Sequence, residues 1–281
     1  MRTQQFLSIY FRISNYIVRS IVPANTSRHM AALPLPIFLI LAGMPSAAQI
    51  LSANSAASAL LGQVSGAFSS NPVQAVRLSG NATLILGSLK DTGTADLTVS
   101  ANGSSSMQLA LAASGQHTET STVIGLSASC TWSGSDGLVN QDNSSGCQRP
   151  VPWFLPAFSL QQSILSSSLE ALDLGAGTVG SSGNIYRHLL LRFSPDATGG
   201  ASASAIAGWS VTDVGFDSTT FLPAVLSYSA TSDSGASDQV AIEIRYLNYQ
   251  LVDGVAIPFQ IQRFVNGALQ LDIQITSAQI N

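Results

Sequence analysis

Apolar and polar residues alternate along most of this chain. Val76, Leu78, Gly80, Ala82, Leu84 and Leu86 are interleaved with Arg77, Ser79, Asn81 and Thr83, the period-two pattern of a strand with one buried and one wet face. Ala95, Leu97 and Val99 alternate with Asp96, Thr98 and Ser100, and Met107, Leu109 and Leu111 repeat the pattern. Strands are also expected over residues 185–193, 219–230, 240–249, 255–264 and 269–275. Asn266-Gly267 between the last two is the strongest short hairpin signal available. Ahead of the strands, Ala56, Leu60, Val64 and Ala67 recur at helical spacing and predict a short amphipathic helix over residues 53–69. Residues 150–165 break the alternation: Pro150, Pro152 and Pro156 bound a cluster of Trp153, Phe154 and Phe158, read as a loop and short helix lying across the sheet. Ser/Gly/Ala clusters near residues 103, 181 and 200 read as loops. The pattern predicts a single, mainly β, antiparallel domain over residues 49–281, with a short N-terminal helix and a capping helix or loop.

Composition narrows the setting. Charged residues make up 9% of the chain and hydrophobic ones 46%, where soluble domains carry about a quarter charged residues. Ser, Thr, Ala and Gly fill the difference, as in secreted β proteins and unlike a helical cytosolic enzyme. No Asp or Glu precedes Asp91, whereas Arg2, Arg12, Arg19 and Arg28 all fall in the first 30 residues. The apolar run from Leu33 to Gly43 follows this basic segment and ends in Ser46-Ala47-Ala48. Residues 1–48 are therefore read as a basic segment and signal peptide, and the protein as exported, periplasmic or extracellular. The run is too short for a stable transmembrane anchor. Within residues 6–22, Ser8, Arg12, Asn15 and Arg19 share one helical face. That segment reads as an overlong leader, with Met1 or Met30 as the start; left uncleaved, it would be a basic helix at a membrane surface. Membrane association is otherwise expected to be transient. Without the leader, seven basic groups face fifteen acidic ones, a formal charge of −8, which leaves no electrostatic footprint for nucleic acid.

Cys130 and Cys147 are the only cysteines, and in an oxidising compartment they are expected to pair, closing a loop worth about 3 kcal/mol. Without an adjacent His they do not supply the four ligands of a metal site. Asp91-Thr92-Gly93 and Asp233-Ser234-Gly235 look like the two motifs of an aspartic protease, whose carboxylates share a proton. Lys90 stands where a buried residue should precede the first, and the second sits in a polar run with ordinary hairpin chemistry. His117, read in an exposed loop, and His188, read on a strand surface, are the only candidate bases after the leader, and no G-x-S-x-G elbow accompanies them. Gly175-x-Gly177-x-x-Gly180 matches a dinucleotide fingerprint only as a string and reads as flexible glycines between strands. No catalytic residue, metal or cofactor is expected.

Asp217-Ser218-Thr219-Thr220-Phe221-Leu222-Pro223, and Tyr246-x-x-Tyr249-x-x-Val252-Asp253-Gly254-Val255-x-Ile257-Pro258-Phe259 after it, resemble elements of outer-membrane lipoprotein-sorting (LolA-like) proteins. There a D-x-x-T-x-L-P element opens a strand and a D-G-x-x-x-P element opens a late hairpin. The resemblance implies an incomplete antiparallel barrel, a half-barrel whose concave apolar face is covered by a short helix or loop and holds acyl chains of a lipid or lipoprotein. Trp153, Phe154 and Phe158 are the candidate ligand-binding residues. The expected function is non-enzymatic binding of a lipid or lipidated ligand. An extracellular β module for protein or glycan contact is the alternative, and an aspartic-type protease the third. Signal-peptide cleavage after Ala48 predicts that N-terminal sequencing of the exported protein begins at Gln49.

Overall fold

A computed structural model of the chain describes residues 47–124, 127–142, 147–163, 169–194, 201–231 and 239–281. Residues 1–46, with all but the last two positions of the expected signal peptide, and Asp233 lie outside these residues. Helix α1 (Ala47–Phe68) leads into strands β1 (Ala75–Leu86), β2 (Leu89–Ser100), β3 (Ser104–Leu111), β4 (Gly115–Ile124), β5 (Ser127–Ser133) and β6 (Val139–Asp142). Helix α2 (Pro156–Ser163) precedes β7 (Leu169–Thr178) and β8 (Ile185–Phe193), and α3 (Ala201–Trp209) precedes β9 (Thr212–Phe216). Strands β10 (Pro223–Thr231), β11 (Gln239–Val252), β12 (Val255–Val265) and β13 (Ala268–Ile280) complete the order. All pair antiparallel in one sheet, ordered β6-β5-β4-β3-β2-β1-β13-β12-β11-β10-β9-β8-β7. The two ends, β6 and β7, do not pair with each other among the described residues, so the barrel is incomplete.

Local chemistry sets the turns. Asn266 and Gly267 have φ of 48° and 79°, and Asp253 and Gly254 have 50° and 81°. Two consecutive positive φ values make the type I′ turn that matches strand twist. Each pair joins its strands through two residues. In the middle of the sheet, β1 pairs with β13, Val76 facing Ile280 and Leu84 facing Leu271.

The alternation read in β1 to β3 appears as burial. Val76, Leu78, Ala82 and Leu84 face the same core as Ala95, Leu97, Val99, Met107, Leu109 and Leu111. Strands β8 to β13 add their inward residues to that one cluster, which also takes in Leu60, Val64 and Phe68 of α1. The opposite face is largely polar: Asp96 accepts from Ser79 Oγ at 2.6 Å and from Arg77 at 3.4 Å. Bending so wide a sheet brings neighbouring backbones together at inward glycines. A Cβ on Gly80 would lie 2.1 Å from the Gln274 carbonyl oxygen, and one on Gly93 1.9 Å from that of Ala110. Gly80 also sits at a register shift against β13, a device that increases strand bending.

Several expectations are corrected. The strand expected from residue 219 begins at Pro223, because Asp217 Oδ1 accepts from Thr219 N, Thr220 N and Thr220 Oγ1 and holds residues 217–220 in a turn. Helix α1 buries Ala57, Leu60, Leu61, Val64 and Phe68, a stripe displaced by one residue from Ala56 and Ala67. His117 is half-buried in β4 opposite Leu109, not in a loop. Gly175 and Gly177 lie inside β7, and the small residues near 200 form α3. Strands β4, β5, β6, β7 and β9 were not expected.

Gly80→Ala is expected to lower stability by at least about 2 kcal/mol, since backbone atoms rather than a movable side chain obstruct the new methyl. Gly62→Ala in α1, with nothing within 4 Å, should raise it by roughly 1 kcal/mol. Urea unfolding of the two variants checks both signs.

Candidate functional site

Beyond Cys147 the chain leaves the sheet edge and crosses the open side of the half-barrel. The start of this strap is held to β5. Cys130 and Cys147 form a disulfide with Cα atoms 5.8 Å apart. Gln148 reinforces it, its Oε1 accepting from Ala128 N at 3.1 Å and its Nε2 donating to Ala128 O at 2.9 Å. Trp153 then bridges the cavity. Its Nε1 donates to Glu119 Oε1 on β4 at 3.2 Å, and its carbonyl accepts from the Tyr246 hydroxyl on β11. The Arg263 guanidinium of β12 lies 5.3 Å from its ring centroid. Strands β3, β2, β1 and β13 separate β4 from β12 in the sheet, which would put them about 24 Å apart if it were flat. One indole reaching both sides shows how far the sheet has curled.

Helix α2 continues the cover. Phe158 meets Phe68 of α1 edge to face at 6.4 Å, and Trp153 meets Phe154 in the same way at 5.6 Å. Gln162 Nε2 donates to the Val73 carbonyl at 3.1 Å, tying α2 to the segment between α1 and β1. The three aromatic residues singled out in the sequence thus lie together over the apolar face. Trp153 and Phe154 are each 3% exposed and Phe158 1%. Beside them opens a cleft of about 230 Å³, lined by Val99, Ala101, Pro150, Phe158 and Phe193 among others. Ser105, Ser121 and Pro152 also line a much smaller cleft at Glu119, Arg149 and Trp153.

A charged cluster lies under the strap. Glu119 takes a hydrogen bond from Arg149 Nη2 at 3.3 Å, while Arg263 Nη1 approaches its other oxygen at 4.0 Å. The Arg149 guanidinium sits 4.9 Å from the centre of the Tyr228 ring. Burial, then the neighbouring Tyr249 and Tyr228, push the Tyr246 phenol well above its ordinary range, so it remains a donor. Sequence reasoning missed this group, although one signal was present. Arg263 shares the inward parity of Ile257, Phe259 and Ile261, a charge on the apolar side of a strand.

The other candidates take structural roles. Both carboxylate oxygens of Asp91 are occupied, Oδ1 by Ala113 N at 2.9 Å and Oδ2 by Ser114 N at 2.7 Å and Ser114 Oγ at 2.6 Å. Burial alone would raise this carboxyl, but those hydrogen bonds and the nearby His117 outweigh it and hold the group below its ordinary range. Asp91 caps the turn between β3 and β4. His188 faces outward with its Nε2 3.1 Å from Asp213 Oδ1. Among the described residues no group of three His, Cys, Asp or Glu could hold a metal, and no helix is long and apolar enough to cross a membrane.

No family model and no curated protein matches this chain. Solved structures do. A DUF1329 family protein from Desulfovibrio piger aligns with TM-score 0.51 at 11% identity, over 82% of this chain and 93% of that one. A candidate outer-membrane lipoprotein-sorting protein domain from Vibrio parahaemolyticus aligns with TM-score 0.48 at 11% identity, over 81% and 93%. A LolA superfamily protein from Nitrosomonas europaea gives 0.47 at 12% identity, over 80% and 93%. The resemblance read in the sequence is met again as a likeness of fold.

Because the disulfide fixes one end of the strap, no thiol should be alkylated in the unreduced native protein and two after reduction, as read by intact mass. Replacing both cysteines by Ser should cost about 3 kcal/mol in denaturant unfolding.

Proposed function

We propose that this protein is an exported, non-enzymatic binding protein that holds a lipid or the acyl chains of a lipidated ligand between its concave apolar face and the cover over it. One observation carries the reading. Among the described residues the apolar side of the sheet is closed by a strap and two helices rather than by a second sheet, and the strap is joined to it by a disulfide, a few polar contacts and the packing of its apolar side chains, with no strand ladder. A cover of that kind separates from the sheet as a unit. At about 230 Å³ the cleft beside Phe158 is smaller than the roughly 300 to 1,000 Å³ of ordinary ligand sites, so an acyl chain enters by displacing Trp153, Phe154 and Phe158 from the face they fill.

The alternative, an extracellular module for glycan or protein contact, draws on the convex side. Trp209, 50% exposed, lines a separate cleft of about 290 Å³ with Asp213, Ser227 and Ser229. An exposed indole beside small polar groups suits the face of a sugar.

Titration of the exported protein with a fluorescent fatty acid separates the two. Saturable uptake with a change in Trp153 emission is expected, and Phe154→Ala with Phe158→Ala should weaken it while the domain stays folded. If the two rings are only core, each replacement instead costs about 3 to 5 kcal/mol of stability and there is no ligand to lose. Failure of the wild type to take up any apolar probe would move the glycan or protein module ahead.

A further inference from the structure

Under the strap, Arg149 and Arg263, with side chains only 12% and 13% exposed, both face the carboxylate of Glu119. Arg149 bonds one of its oxygens at 3.3 Å, but Arg263 stands 4.0 Å from the other, beyond hydrogen-bond reach. The Arg263 Nε is buried and has no hydrogen-bond partner among the described residues. Its flat face is met only by the Trp153 ring at 5.3 Å, which offers a π surface and no acceptor oxygen for the N–H groups in the guanidinium plane. A buried guanidinium N–H that lacks an acceptor is costly, and a carboxylate or phosphate is the group whose geometry matches the guanidinium fork.

Surroundings give such an anion a tail. The small cleft at Glu119, Arg149 and Trp153 shares Ser105, Ser121 and Pro152 as lining with the cleft of Val99, Phe158 and Phe193, and Arg263 stands against the Trp153 ring. Displacing Trp153 uncovers two guanidinium groups beside an apolar cleft, the layout that recognises an amphiphile with a single anionic head.

We propose that Arg263, with Arg149 across Glu119 from it, is the headgroup site for an acid-bearing acyl amphiphile, the carboxylate of a fatty acid or the phosphate of a monoacyl phosphate. This rests on the lipid-binding reading and narrows it, because a neutral lipid or a fully esterified acyl group gives Arg263 no anion. The formal charge of −8 on the exported chain is no obstacle, since recognition occurs at contact under the cover and not through long-range attraction.

The test uses the exported full chain and one fluorophore carried on a sixteen-carbon acid and on the matching alcohol, with hexadecanoate, hexadecyl phosphate and hexadecanol as competitors. The acid should bind about tenfold tighter than the alcohol, as expected for one charge-assisted contact. Arg263→Gln should bring the acid down to the affinity of the alcohol and leave the alcohol unchanged, and Arg263→Lys should keep part of the preference. The stronger competitor of hexadecanoate and hexadecyl phosphate identifies the head. Equal binding of acid and alcohol by the wild type overturns the headgroup site while leaving a lipid carrier standing, and that comparison holds even if the Gln variant fails to fold. An undiminished acid preference in a folded Arg263→Gln protein overturns it as well. No uptake of either probe removes both the site and the lipid reading beneath it.

Discussion

Everything in this molecule follows from having one apolar sheet face and no second sheet to set against it. Strands β1 to β3 and β8 to β13 turn their large aliphatic residues to the same side. Exposing that side to water would forfeit on the order of 25 cal/mol for each Å² of apolar surface. The sheet therefore curls until it nearly meets itself, and chain from outside the sheet fills what is left. Trp153 is the narrowest point of that solution, since it binds β4 through its ring nitrogen and β11 through its backbone carbonyl. Glycines at positions 80 and 93, where a methyl would strike a neighbouring carbonyl, let the strands come close enough for the curl.

The cover differs from the sheet in how it is held. Within the sheet, antiparallel ladders run across thirteen strands and cannot be released one at a time. The strap is tied by no ladder: it has a disulfide at one end, the ring and carbonyl of Trp153 with Arg149 and Arg263 in the middle, Gln162 of α2, and rings packed into the core. Breaking the noncovalent part exposes rings and a charged cluster while every ladder stays intact. Low-stability elements with few backbone ties are the ones that move in binding proteins.

How much of this could be read from the sequence depended on side-chain size. β1 to β3 and β11 to β13 were legible because bulky residues mark their inward positions and Asn266-Gly267 marks a turn. β4 and β5 escaped because Ser and Thr crowd them and few bulky residues mark an inward side, β6 and β9 because four or five residues are too few for a period to stand out, and β7 because Gly175 and Gly177 read as loop glycines. The Asp217 motif was legible as the opening of a strand: its carboxylate gathers the Thr219 and Thr220 amides into a turn, and β10 starts behind it at Pro223. The aromatic cover was legible as three rings between prolines. Its charged underside was not, because Glu119, Arg149 and Arg263 are neighbours only once the sheet has curled, and no local pattern joins β4 to β12.

The pairing of β1 with β13 bears on how the domain comes into being. Thr276 donates to the Ser79 carbonyl across 197 residues of chain, and this seam lies in the middle of the sheet rather than at an edge. Such nonlocal ladders form slowly, because a long loop must close before any contact repays it. A chain emerging from the ribosome can pair β1 with β2 at once, but the seam with β13 waits until that last strand has been made. The middle of the sheet is thus the last part able to form, and the strands on either side of it, each paired to its neighbour in the chain, wait for that seam to join them.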